Sequence, residues 1–110
     1  MLSVPPPEQG SNMAAFVQIV EFTTSRIDEV EALADAMRAQ REAGTVLRGT
    51  FTSDRDRPNH YLSVIEFDSH ESAMENSNRP ETAEFASKMA ALCDGPPSFY
   101  NLDVRGTWPE

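Results

Sequence analysis

Residues 16–22 read FVQIVEF, and this run predicts a β-strand that is apolar on both of its faces. Because side chains alternate along a strand, its apolar residues divide into Phe16, Val20 and Phe22 on one face and Val17 and Ile19 on the other. A sheet with one face in water would show a regular exchange of apolar and polar residues instead. Helices of the same chain can cover one face. The other face therefore predicts a further protein layer, which a chain of 110 residues cannot supply by itself.

The segments that follow this strand predict a regular order of helices and strands. Apolar residues recur at helical spacing over residues 27–37. Residues 45–53 and 60–67 read as strands that are joined by a charged hairpin loop. A helical stretch over residues 80–93 and a strand over residues 98–104 complete the pattern. The order predicts an α+β fold, a ferredoxin-like βαββαβ sandwich with an antiparallel sheet.

Three positions predict where the helices begin. Ser25 can accept a hydrogen bond from the amide of Asp28 at the start of the first helix. Asp68, with Glu71 three residues later, has the spacing of a capping box. Pro80 suits the first turn of a helix and disfavours a helical conformation at the residue before it. It therefore predicts a break between two helical segments.

Composition and charge argue against several classes of function. The length predicts one domain, and the formal net charge of −9 argues against binding to nucleic acid or to an anionic membrane surface. We find no targeting segment and no apolar run of transmembrane length. The single cysteine, Cys93, cannot form an internal disulfide. We therefore expect a cytoplasmic protein whose one thiol is buried and inert.

The N-terminal residues differ in composition from the rest of the chain. Residues 1–12 contain three consecutive prolines, a glycine and several polar side chains. This composition predicts a flexible Pro-rich tail, with residues 13–110 as the folded domain. An alternative is that the tail is an arm that packs on a partner subunit.

A second informative stretch, residues 67–81, reads FDSHESAMENSNRPE. A strand that ends in Phe-Asp-Ser, a short helix, a break rich in Ser and Asn before proline, a second helix and a strand after Gly-Pro-Pro together resemble the antibiotic-biosynthesis-monooxygenase-like families of the dimeric α+β barrel superfamily. The resemblance implies a homodimer in which two ferredoxin-like sheets meet face to face, with the helices outside. It also implies a pocket between each sheet and its own helices. Such a dimer would supply the further layer that the first strand predicts.

The same resemblance implies a cofactor-independent monooxygenase that acts on a small aromatic or polyketide-like substrate. A non-catalytic module that binds a small apolar ligand, or that serves dimerisation alone, is the alternative, because a fold does not set the chemistry. A haem-degrading oxygenase fits less well. Haem-degrading relatives carry an asparagine on the first strand and a tryptophan near the pocket, whereas this chain has Gln18 on that strand and its one tryptophan, Trp108, in the C-terminal tail. We therefore expect no metal and no other cofactor.

The break before Pro80 is where we predict the ligand cavity, because a broken helix leaves polar backbone groups that need partners. The predicted ligand contacts are His70, Met74, Asn78, Arg79 and Phe85. Apolar walls with a few directional polar groups are typical of small-molecule sites. Each residue also has a simpler interpretation, because polar residues occur at helix ends and apolar residues at helical spacing usually form core. No catalytic residue can be identified from the sequence.

Two further residues favour structural interpretations. Arg48, in the middle of the second strand, could bind an anionic ligand, but pairing with an acid such as Glu66 is the favoured interpretation. His60 begins a strand beside a charged loop and, with His70, is one of only two histidines in the chain. Two histidines without a supporting carboxylate pattern do not indicate a metal site.

Overall fold

The computed structural model describes residues 14–40 and 46–109. The predicted tail, residues 1–12, lies outside the described residues. The elements are β1 (Phe16–Thr23), α1 (Ile27–Gln40), β2 (Val46–Ser53), β3 (His60–Phe67), α2 (His70–Ser77), α3 (Pro80–Leu92) and β4 (Ser98–Asp103). Within these residues, no helix has both the length and the apolar character that a membrane span requires.

The four strands form one antiparallel sheet in the order β2-β3-β1-β4. β1 pairs with β3 along its whole length, from Phe16 opposite Phe67 to Thr23 opposite His60. A β-bulge between Val46 and Arg48 interrupts the pairing of β2 with β3. The element order and the antiparallel pairing confirm the predicted ferredoxin-like α+β fold, in which the helix between Ser69 and the last strand is divided in two.

The core lies between the sheet and the helices, in two clusters. The larger cluster joins Val20 and Phe22 of β1 to Val30 of α1 and Met89 of α3. The smaller cluster is formed by Phe16, Phe67 and Ala73. All the strand residues of both clusters lie on one face of the sheet. Side chains two residues apart on a strand point to the same face, and so do those of directly paired residues on neighbouring strands. This helix-facing side of the sheet is the one that α1, α2 and α3 cover.

The opposite side of the sheet, the outer face, is apolar at its centre as the first strand predicts. Pairing places Ile19 between Val64 of β3 and Tyr100 of β4, with Val17 beside Leu102. The Tyr100 and Leu102 residues are 44% and 43% exposed. The chain therefore carries apolar strand residues on the side of the sheet away from its own helices.

The helix starts differ in detail from two of the predictions. Thr24, not Ser25, holds the start of α1: its fully buried hydroxyl accepts the amide of Arg26 at 2.9 Å and donates to the carbonyl of Leu92 at 2.6 Å. This hydroxyl thus connects the start of α1 to the end of α3. Ser25 is exposed.

The predicted capping box at Asp68 and Glu71 is also wrong by one residue. Ser69 is the N-cap of α2, because its backbone is extended and its hydroxyl accepts the amide of Ser72 at 3.0 Å. The Asp68 carboxylate instead accepts a hydrogen bond from the Ser72 hydroxyl at 2.5 Å. The predicted break is confirmed: α2 ends at Ser77, and Pro80 occupies the first turn of α3.

Candidate functional site

A cavity lies between the helix-facing side of the sheet and the helices α1 and α3. It has two adjoining chambers, of about 370 Å³ and about 470 Å³. The two chambers share the lining residues Val20, Ala34, Arg38, Phe51, Ser63, Ile65, Phe85 and Met89. Carbon-rich side chains from three strands and two helices thus enclose a space large enough for a small organic molecule.

Two small residues on neighbouring strands create the floor of this cavity. Ser63 of β3 stands between Val20 of β1 and Phe51 of β2, where a large side chain would fill the space. Gly49 of β2 faces the second chamber, and a Cβ added there would meet no heavy atom within 4 Å. The space therefore results from missing side-chain volume on the edge strand β2 and on its neighbour β3.

An array of aromatic rings forms one wall. Phe22, Phe51 and Tyr61 have ring centroids 5.7 to 5.9 Å apart, and their planes differ by only 13° to 27°. Phe22 and Phe51 line the first chamber, and the Phe51 residue remains 41% exposed. Nearly parallel rings favour offset stacking with a further flat ring. The wall is therefore suited to a planar aromatic molecule.

Charged residues of α1 lie at the edge of the first chamber. Glu31, Asp35 and Arg38 all contribute to its lining, and the Arg38 guanidinium forms an ion pair with the Asp35 carboxylate. The Arg38 and Asp35 side chains are 64% and 69% exposed. In the structure they combine exposure with a position at the mouth of the cavity.

Polar groups also reach the second chamber. Gln18 of β1 lines it and donates a hydrogen bond to Asn101 of β4 at 3.1 Å. Thr82 of α3 lines it as well, and the Thr82 hydroxyl is buried without a hydrogen-bond partner in the part of the chain that the structure describes. The cavity is thus apolar over most of its surface and polar at a few positions.

No protein-family model matches this sequence, and no curated protein matches it. Solved structures do match. SnoaB, a cofactor-independent oxygenase from Streptomyces nogalater, is 22% identical in a mutant form, with a TM-score of 0.75 over 89% of this chain and 100% of that chain. A monooxygenase from the gene ActVA-Orf6 of Streptomyces coelicolor, in complex with nanaomycin D, is 20% identical, with a TM-score of 0.70 over 88% and 93% of the two chains.

An antibiotic biosynthesis monooxygenase is 14% identical, with a TM-score of 0.68 over 83% of this chain and 99% of that chain. This chain has the fold of these monooxygenases. The resemblance that residues 67–81 carry is therefore confirmed at the level of the fold. At these identities the fold does not assign the reaction, which must be argued from the site.

The structure separates the predicted site residues into two groups. Phe85 lines both chambers of the cavity. The other four, His70, Met74, Asn78 and Arg79, line a separate and open depression on the surface of α2 and the α2–α3 junction. From the break itself, Asn76 and Ser77 reach the second chamber. The junction thus borders both spaces, with different residues on its two sides.

The Phe16 and His70 rings pack edge to face, with their centroids 5.1 Å apart, and this contact anchors the first turn of α2 on the sheet. His70 is nevertheless exposed. Among the described residues, no group of three or more His, Cys, Asp or Glu side chains could hold a metal ion.

The Cys93 thiol is half-buried. Its pKa is raised above its usual range, chiefly by burial and to a smaller extent by the negative charge of Asp94.

A polar cluster on the outer face was not predicted. Glu21 of β1 accepts hydrogen bonds from the Tyr100 hydroxyl at 2.7 Å and from the His60 ring at 2.6 Å, and the Arg57 guanidinium lies 3.9 Å away. The hydrogen bonds from Tyr100 and His60 lower the pKa of Glu21, and the Glu21 carboxylate raises the pKa of Tyr100. These residues come from β1, β3, β4 and a loop. Their proximity could not be seen in the sequence without the strand register.

The predicted pair of Arg48 and Glu66 is confirmed, with a guanidinium nitrogen 2.8 Å from a carboxylate oxygen. It lies on the outer face at the end opposite to the Glu21 cluster, because Glu66 pairs with Val17 whereas His60 pairs with Thr23. The acidic side chains of β1 and β3 on this face, Glu21 and Glu66, thus each have a cationic or hydrogen-bonding partner within the chain.

Proposed function

We propose that this protein is a cofactor-independent monooxygenase that oxidises a small, flat aromatic or polyketide-like molecule in the cavity between the sheet and the helices. The observation that carries the proposal is the cavity of two adjoining chambers, about 370 Å³ and about 470 Å³ in volume, with the nearly parallel rings of Phe22 and Phe51 in its wall. Ligand pockets are typically about 300–1,000 Å³ in volume and mostly apolar, with a few polar groups.

The similarity to a cofactor-independent oxygenase and to a monooxygenase in complex with nanaomycin D supports this choice among the functions that one fold can carry. In such a reaction the substrate itself supplies the electrons. An anthrone illustrates the balance: one O₂ adds an oxygen atom to the ring methylene, the second oxygen atom leaves as water with the two methylene hydrogens, and a quinone results. The protein contributes orientation and stabilisation of charge.

Gly49→Val tests whether the cavity is the ligand site. The added side chain projects into the second chamber, where nothing lies within 4 Å of a new Cβ, so we expect the fold to persist and the affinity for a naphthol or anthrone probe to fall at least about tenfold. Probe fluorescence measures the affinity. Gly106→Val is the matched control, since a Cβ at Gly106 also meets nothing within 4 Å and Gly106 lies outside the cavity lining. Equal affinities for the two variants would refute the site.

We also propose that the outer faces of two copies pack together as a homodimer. The apolar centre of the face, at Ile19, Val64 and Leu102, gives the association its driving force. The pairing of Glu21 and Glu66 with partners in the same chain supports the proposal, because a buried charge without a partner strongly destabilises an interface. With its single cysteine, the chain suits a reducing compartment, and we propose the cytoplasm.

A further inference from the structure

We propose that Arg38 holds an anionic oxygen of the bound aromatic molecule at the mouth of the cavity, and that this oxygen displaces Asp35 from the guanidinium. The inference rests on the proposed function and extends it, because it names the chemical group that the ligand presents and the residue that selects it. The ligand class is then a planar aromatic phenol or enol that binds as its anion.

The position of Arg38 is the first argument. Arg38 lines both chambers, and it is the one cationic residue among the described residues that line either of them. Its side chain is 64% exposed, so the guanidinium can change partners without first leaving a buried site. A guanidinium is planar and stays charged at any ordinary pH, which suits it to hold an oxygen anion.

The ion pair with Asp35 is the second argument. Arg38 and Asp35 are three residues apart on α1, and both are well exposed. Exposed pairs of this kind contribute little to stability, because water screens both charges. A ligand oxygen that is held against the apolar chamber is screened less by water and can compete with Asp35 for the guanidinium. When the cavity is empty, the Asp35 carboxylate takes the place of the ligand oxygen at the Arg38 guanidinium.

The chemistry of the proposed reaction gives this contact a consequence. A phenol or an anthrone passes an electron to O₂ far more readily as its anion than as the neutral molecule. A cation beside the ligand oxygen favours the charged form and lowers the pKa of the bound ligand. Glu31 and Asp35, both at the first chamber, oppose this effect because they are acidic. Arg38 should therefore raise the fraction of reactive anion, and the removal of Asp35 should raise it further.

The test uses 7-hydroxycoumarin, a flat phenol whose neutral and ionised forms absorb at different wavelengths. The pKa of the bound probe is measured by spectrophotometric titration at saturating protein, for the unmodified protein and for Arg38→Met, Asp35→Asn and Arg26→Met. Arg26 is the matched control. Like Arg38, it pairs with a carboxylate three residues away, Glu29 at 2.8 Å, and it is 50% exposed, but it does not line the cavity.

We expect Arg38→Met to raise the pKa of the bound probe by about one unit, which corresponds to a roughly tenfold weaker preference for the phenolate. Asp35→Asn should shift it in the opposite direction, and Arg26→Met should leave it unchanged. If the ion pair had only a structural role, Arg38→Met and Asp35→Asn would instead change the pKa of the bound probe in the same way. An unchanged probe pKa in Arg38→Met, with binding that Gly49→Val still weakens, would overturn this inference alone. No binding of the probe by the unmodified protein would overturn the proposed function as well.

Discussion

Glu21 shows how a single residue acquires chemistry from strands that are distant in sequence. Its carboxylate is held by Tyr100, 79 residues away, and by His60, 39 residues away. The alternation along β1 predicts that Glu21 lies on the face of Ile19, but only the register of β3 and β4 shows which side chains meet it. A charged residue on an otherwise apolar face is thus predictable, whereas its partners are not.

Glu21→Gln should reduce the dependence of stability on acid pH. The hydrogen bonds from Tyr100 and His60 hold the pKa of Glu21 below its ordinary value of 4.5. The stabilisation is therefore complete above that ordinary pKa and is lost as the pH falls through the lowered folded-state value. Thermal unfolding between pH 7 and pH 3 should show a smaller decrease in Tm for Glu21→Gln than for the unmodified protein.

Glu71→Gln serves as the control for this measurement, because Glu71 is an exposed acid of α2 that makes no side-chain hydrogen bond within residues 14–40 and 46–109. Its Tm should follow the pH in the same way as that of the unmodified protein. If Tm decreases by the same amount between pH 7 and pH 3 in Glu21→Gln and in Glu71→Gln, the hydrogen bonds to Glu21 do not contribute to acid stability.

At the scale of elements, periodicity predicted the strands and helices well, and Pro80 predicted the break correctly. The side of the break that meets the cavity was not predictable. Residue spacing gives the relative orientation of side chains along a helix, but the way in which α2 lies on the sheet decides which of them points inward. As a result Asn76 and Ser77 line the second chamber, while Asn78 and Arg79 line the open depression on the surface of α2.

The start of α2 depends on a single serine, and Ser69→Ala should destabilise the fold by about 1 kcal/mol, which is typical for the loss of an N-cap. The Ser69 hydroxyl accepts the Ser72 amide at 3.0 Å, and no other side chain caps this helix start in the described structure. Urea unfolding measures the loss. Ser87→Ala, at an exposed position inside α3, is the control and should change stability by only a few tenths of a kcal/mol. Equal losses would show that Ser69 is not the cap.

At the scale of the whole molecule, the outer face connects the sequence to the assembly. The apolar pattern of residues 16–22 predicted a covering layer, and the proposed dimer supplies it. Ile19→Lys places a charge at the centre of the face, between Val64 and Tyr100. We expect the unmodified protein to sediment as a dimer at micromolar concentration and Ile19→Lys as a folded monomer. Met74→Lys, at an exposed apolar residue in the open depression on the surface of α2, should remain dimeric. An unmodified protein that sediments as a monomer would contradict the assembly.

The central claim is that the cavity promotes the oxidation of a flat aromatic molecule by O₂ without an added cofactor. The most direct measurement is the conversion of an anthrone to its quinone under ¹⁸O₂, with mass analysis of the product and purified protein free of metal and flavin. The account predicts a rate well above that of anthrone in buffer alone, one ¹⁸O atom per quinone, and loss of the acceleration in Gly49→Val but not in Gly106→Val. The same rate with and without the protein, across a panel of anthrones and naphthols that bind in the cavity, would contradict it.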